Sequence, residues 1–151
     1  MSMSLLPWLH MKPPTTDSQI LIAIHSPNSL ILCTGHGDDV IGTYELKLWD
    51  ISTKQLLHTL KHMANVLSAA FSLTGNQLCS GGWDNTIYVW NVATGACVRT
   101  WVAHDERIFS VAYSACATMI ASASGTLLCH KIHQCPEAAL YPYPAFPLGT
   151  P

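Results

Sequence analysis

The sequence predicts an all-β protein made of repeated four-stranded antiparallel sheets, and three observations carry that prediction. The first is an internal repeat. Trp49 and Trp90 stand 41 residues apart in matching surroundings, with Leu46, Leu48 and Ile51 falling on Ile87, Val89 and Val92; a period of about 40–45 residues marks a repeat architecture. The second is alternation. Leu46 and Leu48 alternate with Glu45 and Lys47, and Ile87 and Val89 with Thr86 and Tyr88, the period of two that turns one face of a strand to a core. The third is punctuation. Thr74-Gly75-Asn76, Trp83-Asp84-Asn85 and Thr94-Gly95 are turn sequences, and no proline stands between Asn28 and Cys135 to interrupt a sheet.

Taken in order, a loose first copy begins near Ile20. In it His25-Ser26-Pro27 corresponds to Phe71-Ser72-Leu73, and Leu32-Cys33-Thr34-Gly35 to Leu78-Cys79-Ser80-Gly81. Its second and third strands are expected to be joined by a turn about five residues longer, holding His36-Gly37-Asp38-Asp39. The middle copy predicts four short strands near 66–71, 77–81, 86–90 and 96–101. A third copy follows at an offset of 42 residues, which places His62 on His104 and Ser68, Ala70, Ser72 and Ser80 on Ser110, Ala112, Ser114 and Ser122 without a gap. Its third strand is expected over 126–132, where His130-Lys131 takes the place of the tryptophan pair.

Composition narrows the function. The 151 residues suit one ordinary domain, and 49% are hydrophobic. Only 11% are charged, against about 25% in an average globular protein, which argues against a disordered, solvating chain. Seven basic and nine acidic residues leave a net charge of −2, no footprint for nucleic acid. The start lacks a basic segment and its apolar stretch is broken at Pro7, so it does not read as a secretory signal. The six cysteines are irregularly spaced and read as free thiols of a reducing interior, cytoplasmic or nuclear. Residues 108–129 carry no charge and are long enough to span a bilayer, which makes a membrane-associated protein the alternative reading; their serines, threonines and Gly125 dilute the hydrophobicity, and the repeat explains the same residues.

Three constellations resemble reactive sites and are read otherwise. Asp38-Asp39 are sequence neighbours that do not converge on one point in an extended chain, and read as a solvated insertion. Cys129, His130, His133 and Cys135 have ligand-type side chains without the paired knuckles of a structural zinc site, so no metal and no cofactor is expected. From Pro136 onward the chain carries five of its nine prolines, interleaved with Tyr141, Tyr143 and Phe146; this reads as an extended, disordered tail with the composition of a ligand for an aromatic-lined groove.

Residues 61–101, KHMANVLSAAFSLTGNQLCSGGWDNTIYVWNVATGACVRTW, resemble a WD40 repeat in length, strand order and motif placement. His62 stands where that family's Gly-His dipeptide has its histidine, with Lys61 in place of the glycine; Trp90-Asn91 stands for Trp-Asp, six residues after Asp84. Trp49-Asp50 is an unaltered Trp-Asp. The resemblance extends over about residues 19–125 and implies β-propeller blades: a degenerate blade over 19–60, a complete one over 61–101 and a partial one over 102–132, between an N-terminal segment (1–18) and the Pro-rich tail (133–151). A closed propeller needs at least about four blades, so an incomplete propeller is expected, a truncated product of a longer WD40 protein.

The resemblance also implies roles. His62, Ser80, Asp84 and Trp90 would form a structural hydrogen-bonded tetrad rather than a catalytic site, with Thr34 and Trp49, and His104 and Ser122, as partial counterparts. Partners in the family touch the residue before the turn aspartate, here Trp83, and the residues flanking the first apolar position of each blade, here Asn65 and Leu67 and then Arg107 and Phe109. The implied function is a noncatalytic interaction scaffold, an adaptor for protein or peptide partners, with self-association through open blade edges.

Overall fold

A computed structural model describes residues 19–39, 41–116, 118–125 and 130–134. They form eleven strands in three antiparallel sheets, each in sequence order. The first sheet holds β1 (Gln19–His25), β2 (Ile31–Asp38), β3 (Thr43–Asp50) and β4 (Leu56–His62); the second holds β5 (Val66–Phe71), β6 (Gln77–Gly82), β7 (Thr86–Asn91) and β8 (Cys97–Val102). The third holds β9 (Ile108–Tyr113), β10 (Met119–Ser124) and β11 (His130–Gln134). The side chains of Cys129, His130, His133 and Cys135, the Pro-rich segment after Pro136 and residues 1–18 lie outside the described residues.

Turn chemistry sets the strand ends. At Gly95 the chain takes φ of 70°, and its N–H closes the β7–β8 turn on Asn91 O at 2.8 Å. A Cβ there would lie 2.7 Å from the His58 ring, so glycine is required twice over, by backbone and by space. The His58 ring itself reaches from β4 to Ala93 O at 2.9 Å and ties the first sheet to the second.

The second sheet packs between the other two, because β6 alternates its side chains between two cores. Leu78 joins Ile22, Cys33, Leu46, Leu48, Leu60, Val66 and Trp90 on the first sheet's side. Cys79 joins Ile87, Val89, Ile108, Val111 and Ile120 on the third sheet's side. Fully burying each such aliphatic side chain contributes about 1.5–3 kcal/mol. Gly81 lets the sheets close up: a Cβ on it would sit 2.8 Å from Ile108 Cγ2.

Three expectations are corrected here. The extra residues of the first sheet do not enlarge a loop; His36, Gly37 and Asp38 continue β2, with Asp38 opposite Thr43, so the insertion lengthens a paired hairpin. Pairing satisfies the backbone groups that a loop would leave to solvent. The last strand of the third sheet is described over His130–Gln134, with His130 opposite Ala123 and Gln134 opposite Met119, so it runs beyond the expected end at 132. The uncharged run from 108 folds into the β9–β10 hairpin, and among the described residues no helix is long and apolar enough to cross a membrane.

Replacing Leu78, which is fully buried, by alanine is expected to destabilise the chain by about 2–5 kcal/mol. Leu73→Ala, at a side chain 64% exposed, should stay within about 0.5 kcal/mol. Urea unfolding of the two variants beside the parent checks both values.

Candidate functional site

Two constellations come together: a buried polar network between sheets, and a groove at the turn end of the second and third sheets. The network begins with His62, the last residue of β4, which crosses to the second sheet. Its Nδ1 lies 3.3 Å from Leu60 O. A carbonyl only accepts, so Nδ1 carries the proton and Nε2 is the acceptor. Ser80 Oγ donates to that Nε2 at 2.7 Å and accepts from Trp90 Nε1 at 2.9 Å. Every polar atom of the chain is then satisfied with a neutral imidazole, and burial pushes His62 down to about 4.

Asp84 stands apart from this chain. Its carboxylate accepts from Thr86 N at 3.2 Å and from the Tyr88 hydroxyl at 2.8 Å, so it stiffens the β6–β7 turn. Burial and that bond push the Tyr88 hydroxyl well up. Tyr88 and Trp90, two residues apart on one face of β7, stack at 5.6 Å, and Tyr88 meets the His62 ring edge-on at 4.7 Å. The aspartate therefore reaches the histidine through an aromatic ring.

The same chemistry recurs with different sources. His104 lies 2.8 Å from Ser122 Oγ across the next sheet boundary, both buried. On the first sheet Trp49 Nε1 donates to Thr34 Oγ1 at 2.8 Å, and the imidazole comes from the same strand: His36 Nε2 is 2.7 Å from Thr34 Oγ1. His36 was read from sequence as part of a loop. Its position two residues beyond Thr34 was the available signal, since residues i and i+2 of a strand share a face.

The groove has a volume of about 520 Å³ and is lined by Trp83, Asn85, Asp105, Glu106, Arg107, Phe109 and Gly125. Trp83, at the β6–β7 turn, is 49% exposed, and Phe109, on β9, is 55% exposed. Arg107 lays its guanidinium 4.1 Å above the Trp83 ring centroid, a cation–π contact joining the second and third sheets. Asn85, with φ of 62°, donates its amide to Asp105 O at 3.0 Å and accepts from Ala103 N at 2.9 Å, which fixes the approach to β9.

Three of the five residues singled out as partner contacts thus share one groove: Trp83, Arg107 and Phe109. Asn65 and Leu67 do not line it. Asn65 joins sheets instead, donating to Asp39 Oδ1 at 2.9 Å and accepting from Trp83 N at 2.9 Å, in space left by Gly37 and Gly82. Leu67 is half-buried on β5. Asn85, Asp105, Glu106 and Gly125 escaped the sequence reading; the acidic pair directly before Arg107 was the signal for two of them.

Successive four-stranded sheets, packed face to face and joined by histidine–hydroxyl bonds, define a propeller-blade protein. The WD40 family (WD domain, G-beta repeat) matches residues 54–91 and 95–129, each match running from the last strand of one sheet into the next. The chain is a WD40-repeat protein. It is 31% identical over 88 residues to the Periodic tryptophan protein 2 homolog of Schizosaccharomyces pombe, covering 58% of this chain and 10% of that protein. It is also 31% identical over 119 residues to Striatin of Mus musculus (76% of this chain, 15% of that protein) and 30% identical over 118 residues to human Striatin-3 (75% and 14%). The chain thus spans 10–15% of the length of these relatives.

The network generates a pH dependence with a definite sign. His62 titrates near 4 in the folded chain against its ordinary 6.5, so between those values the unfolded chain binds more protons and stability rises with pH. The contribution is complete above about pH 6.5 and lost as the pH falls toward 4, about 3 kcal/mol in all at 1.36 kcal/mol per pH unit. Urea midpoints measured from pH 7 to pH 4 should show this loss, and His62→Gln, with nothing to titrate, should lack this share of it.

Proposed function

We propose that the chain is a noncatalytic interaction scaffold, an adaptor within a larger complex, that docks a protein or peptide segment in the groove of Trp83, Arg107 and Phe109. The observation that carries this reading is the meeting of two half-exposed aromatic side chains and an arginine at one turn end. Aromatic and arginine side chains are the types that dominate binding energy at interfaces, and turn ends are free of the core's packing demands. His62, the residue a catalytic reading would choose, is buried and engaged at both ring nitrogens. Within the reading, the sheets act as the blades expected over 19–60, 61–101 and 102–132. A setting inside the cell, in the cytoplasm or nucleus, suits Cys33, Cys79, Cys97 and Cys116, none of which is in a disulfide among the described residues; burial pushes Cys33 up to about 12 and makes it inert.

Partners recovered with the wild-type chain by proximity labelling test the groove. Trp83→Ala and Phe109→Ala, matched to wild type by circular dichroism, should each lower partner affinity by about 1 kcal/mol or more, about fivefold. Unchanged affinity in both would overturn the groove and move the interface to the Pro-rich tail.

Self-association belongs to the same reading. The edge strands β4 and β8 expose Leu56, Leu57, Val98 and Val102, and unpaired strand edges template association. Sedimentation velocity at micromolar concentration should show oligomers, and a monomer that unfolds in one cooperative step would contradict this.

A further inference from the structure

We propose that the groove receives the Pro-rich segment of the same chain, Tyr141 to Pro147, folded back in extended polyproline form, so that a partner must displace it. This rests on the docking reading above and adds the regulation of that site. Two features of one molecule carry it. The first is a groove of about 520 Å³ under two aromatic side chains, Trp83 and Phe109, each about half exposed. The second is a run of prolines interleaved with Tyr141, Tyr143 and Phe146, beginning seven residues past Gln134, the last described residue. Such segments dock in aromatic-lined grooves because their backbone is already extended, loses little freedom and carries few N–H groups to satisfy.

The register of the third sheet gives the reach. Gln134 lies opposite Met119, at the end of β10 away from the groove, whereas Gly125, directly after β10, lines it. The five residue steps from Met119 to Ser124 span about 17 Å. A polyproline segment advances about 3.1 Å per residue, which lets Tyr141 stand about 22 Å from Gln134 and Phe146 about 37 Å. Residues 141–147 therefore reach the groove. Glu137, the one charged side chain after Gln134, stays within about 10 Å of it, short of Asp105 and Glu106. The polar groups find counterparts as well. Among the described residues neither Asp105 nor Glu106 has a cationic partner within 4.0 Å, and a tyrosine hydroxyl donates to a carboxylate. Arg107, held 4.1 Å over the Trp83 ring centroid, offers N–H donors to the segment's carbonyls. Tethering favours this occupant over a free one, since a short linker gives an effective concentration of about a millimolar or more.

Amide NMR spectra of the isotopically labelled full chain test the contact. Tyr141→Ala, Tyr143→Ala and Phe146→Ala, made together, should shift the amides of Asn85, Arg107 and Gly125 while those of Leu78 and Val89 stay in place. The free peptide Ala-Leu-Tyr-Pro-Tyr-Pro-Ala-Phe-Pro-Leu, copied from residues 139–148, should reverse those shifts with a midpoint near about 0.3 mM. Wild type should need about tenfold more peptide, because its tethered copy competes at about a few millimolar. Adding Trp83→Ala to the tail variant should weaken the peptide about fivefold or more. Partners recovered as above should bind the tail variant about tenfold tighter than wild type; equal affinity would overturn the regulation. Identical groove amides in wild type and tail variant would overturn the intramolecular contact, and peptide shifts that still depend on Trp83 would then leave the docking groove standing. Wild-type groove shifts that grow with protein concentration would assign the segment to a second copy, which also overturns it. A peptide that moves no groove amide of the tail variant at about 3 mM would overturn the segment as ligand, while the docking reading would fail only if partner affinity also ignored Trp83→Ala and Phe109→Ala.

Discussion

A buried imidazole at the end of one sheet, accepting a hydrogen bond from a hydroxyl in the middle of the next, is the interaction on which the rest of this architecture turns. A single four-stranded sheet has two faces to cover and cannot bury both by itself. The apolar clusters supply most of the stabilisation, yet apolar contact is non-directional and tolerates sliding. The His62–Ser80 bond does not. It fixes where the last residue of β4 meets β6, and Trp90 Nε1 on the same oxygen makes the contact a three-way lock. Ser26 and Ser72 show the same economy at the opposite end, each closing a β-turn through its hydroxyl.

The network is defined by chemistry and position in space, and only loosely by position in sequence. In the second and third sheets the imidazole arrives from the chain segment that leaves the preceding sheet. In the first sheet His36 reaches Thr34 from two residues along the same strand. The two solutions are not energetically equivalent. His62 has partners at both nitrogens, whereas His36 Nδ1 is buried without one among the described residues. Burial, reinforced by Lys47, holds His36 below its ordinary value, as expected of an imidazole kept neutral at some cost.

The proposed docking surface falls at the turns for a related reason. Along the strands nearly every inward position is committed to one of the two clusters, and β6 is buried almost throughout. At the β6–β7 turn and the approach to β9 the backbone is held by Asn85 and Asn65, which frees Trp83, Arg107 and Phe109 to face solvent. A rigid base under exposed aromatic groups lowers the ordering cost of binding. Asn65 illustrates the division of labour: its side chain and carbonyl are taken up in holding that base.

The sequence by itself determined the strand count of the second sheet, its turns and the two-faced pattern of β7, because those features follow from a period of two and from residues such as Gly75 and Gly95 that tolerate left-handed backbone. Its resemblance to a WD40 repeat also marked His62, Ser80 and Trp90, and three members of the groove. What it could not determine was which polar groups meet once the sheets pack. Asp84 pairs with Tyr88 instead of joining the histidine chain, and His36 leaves its expected loop to enter a strand. Glu106 and Phe109, likewise, converge over Gly125 only after β9 is laid against β10. Local propensity acts over a few residues, whereas these choices depend on distances across sheet boundaries that exist only in the packed molecule.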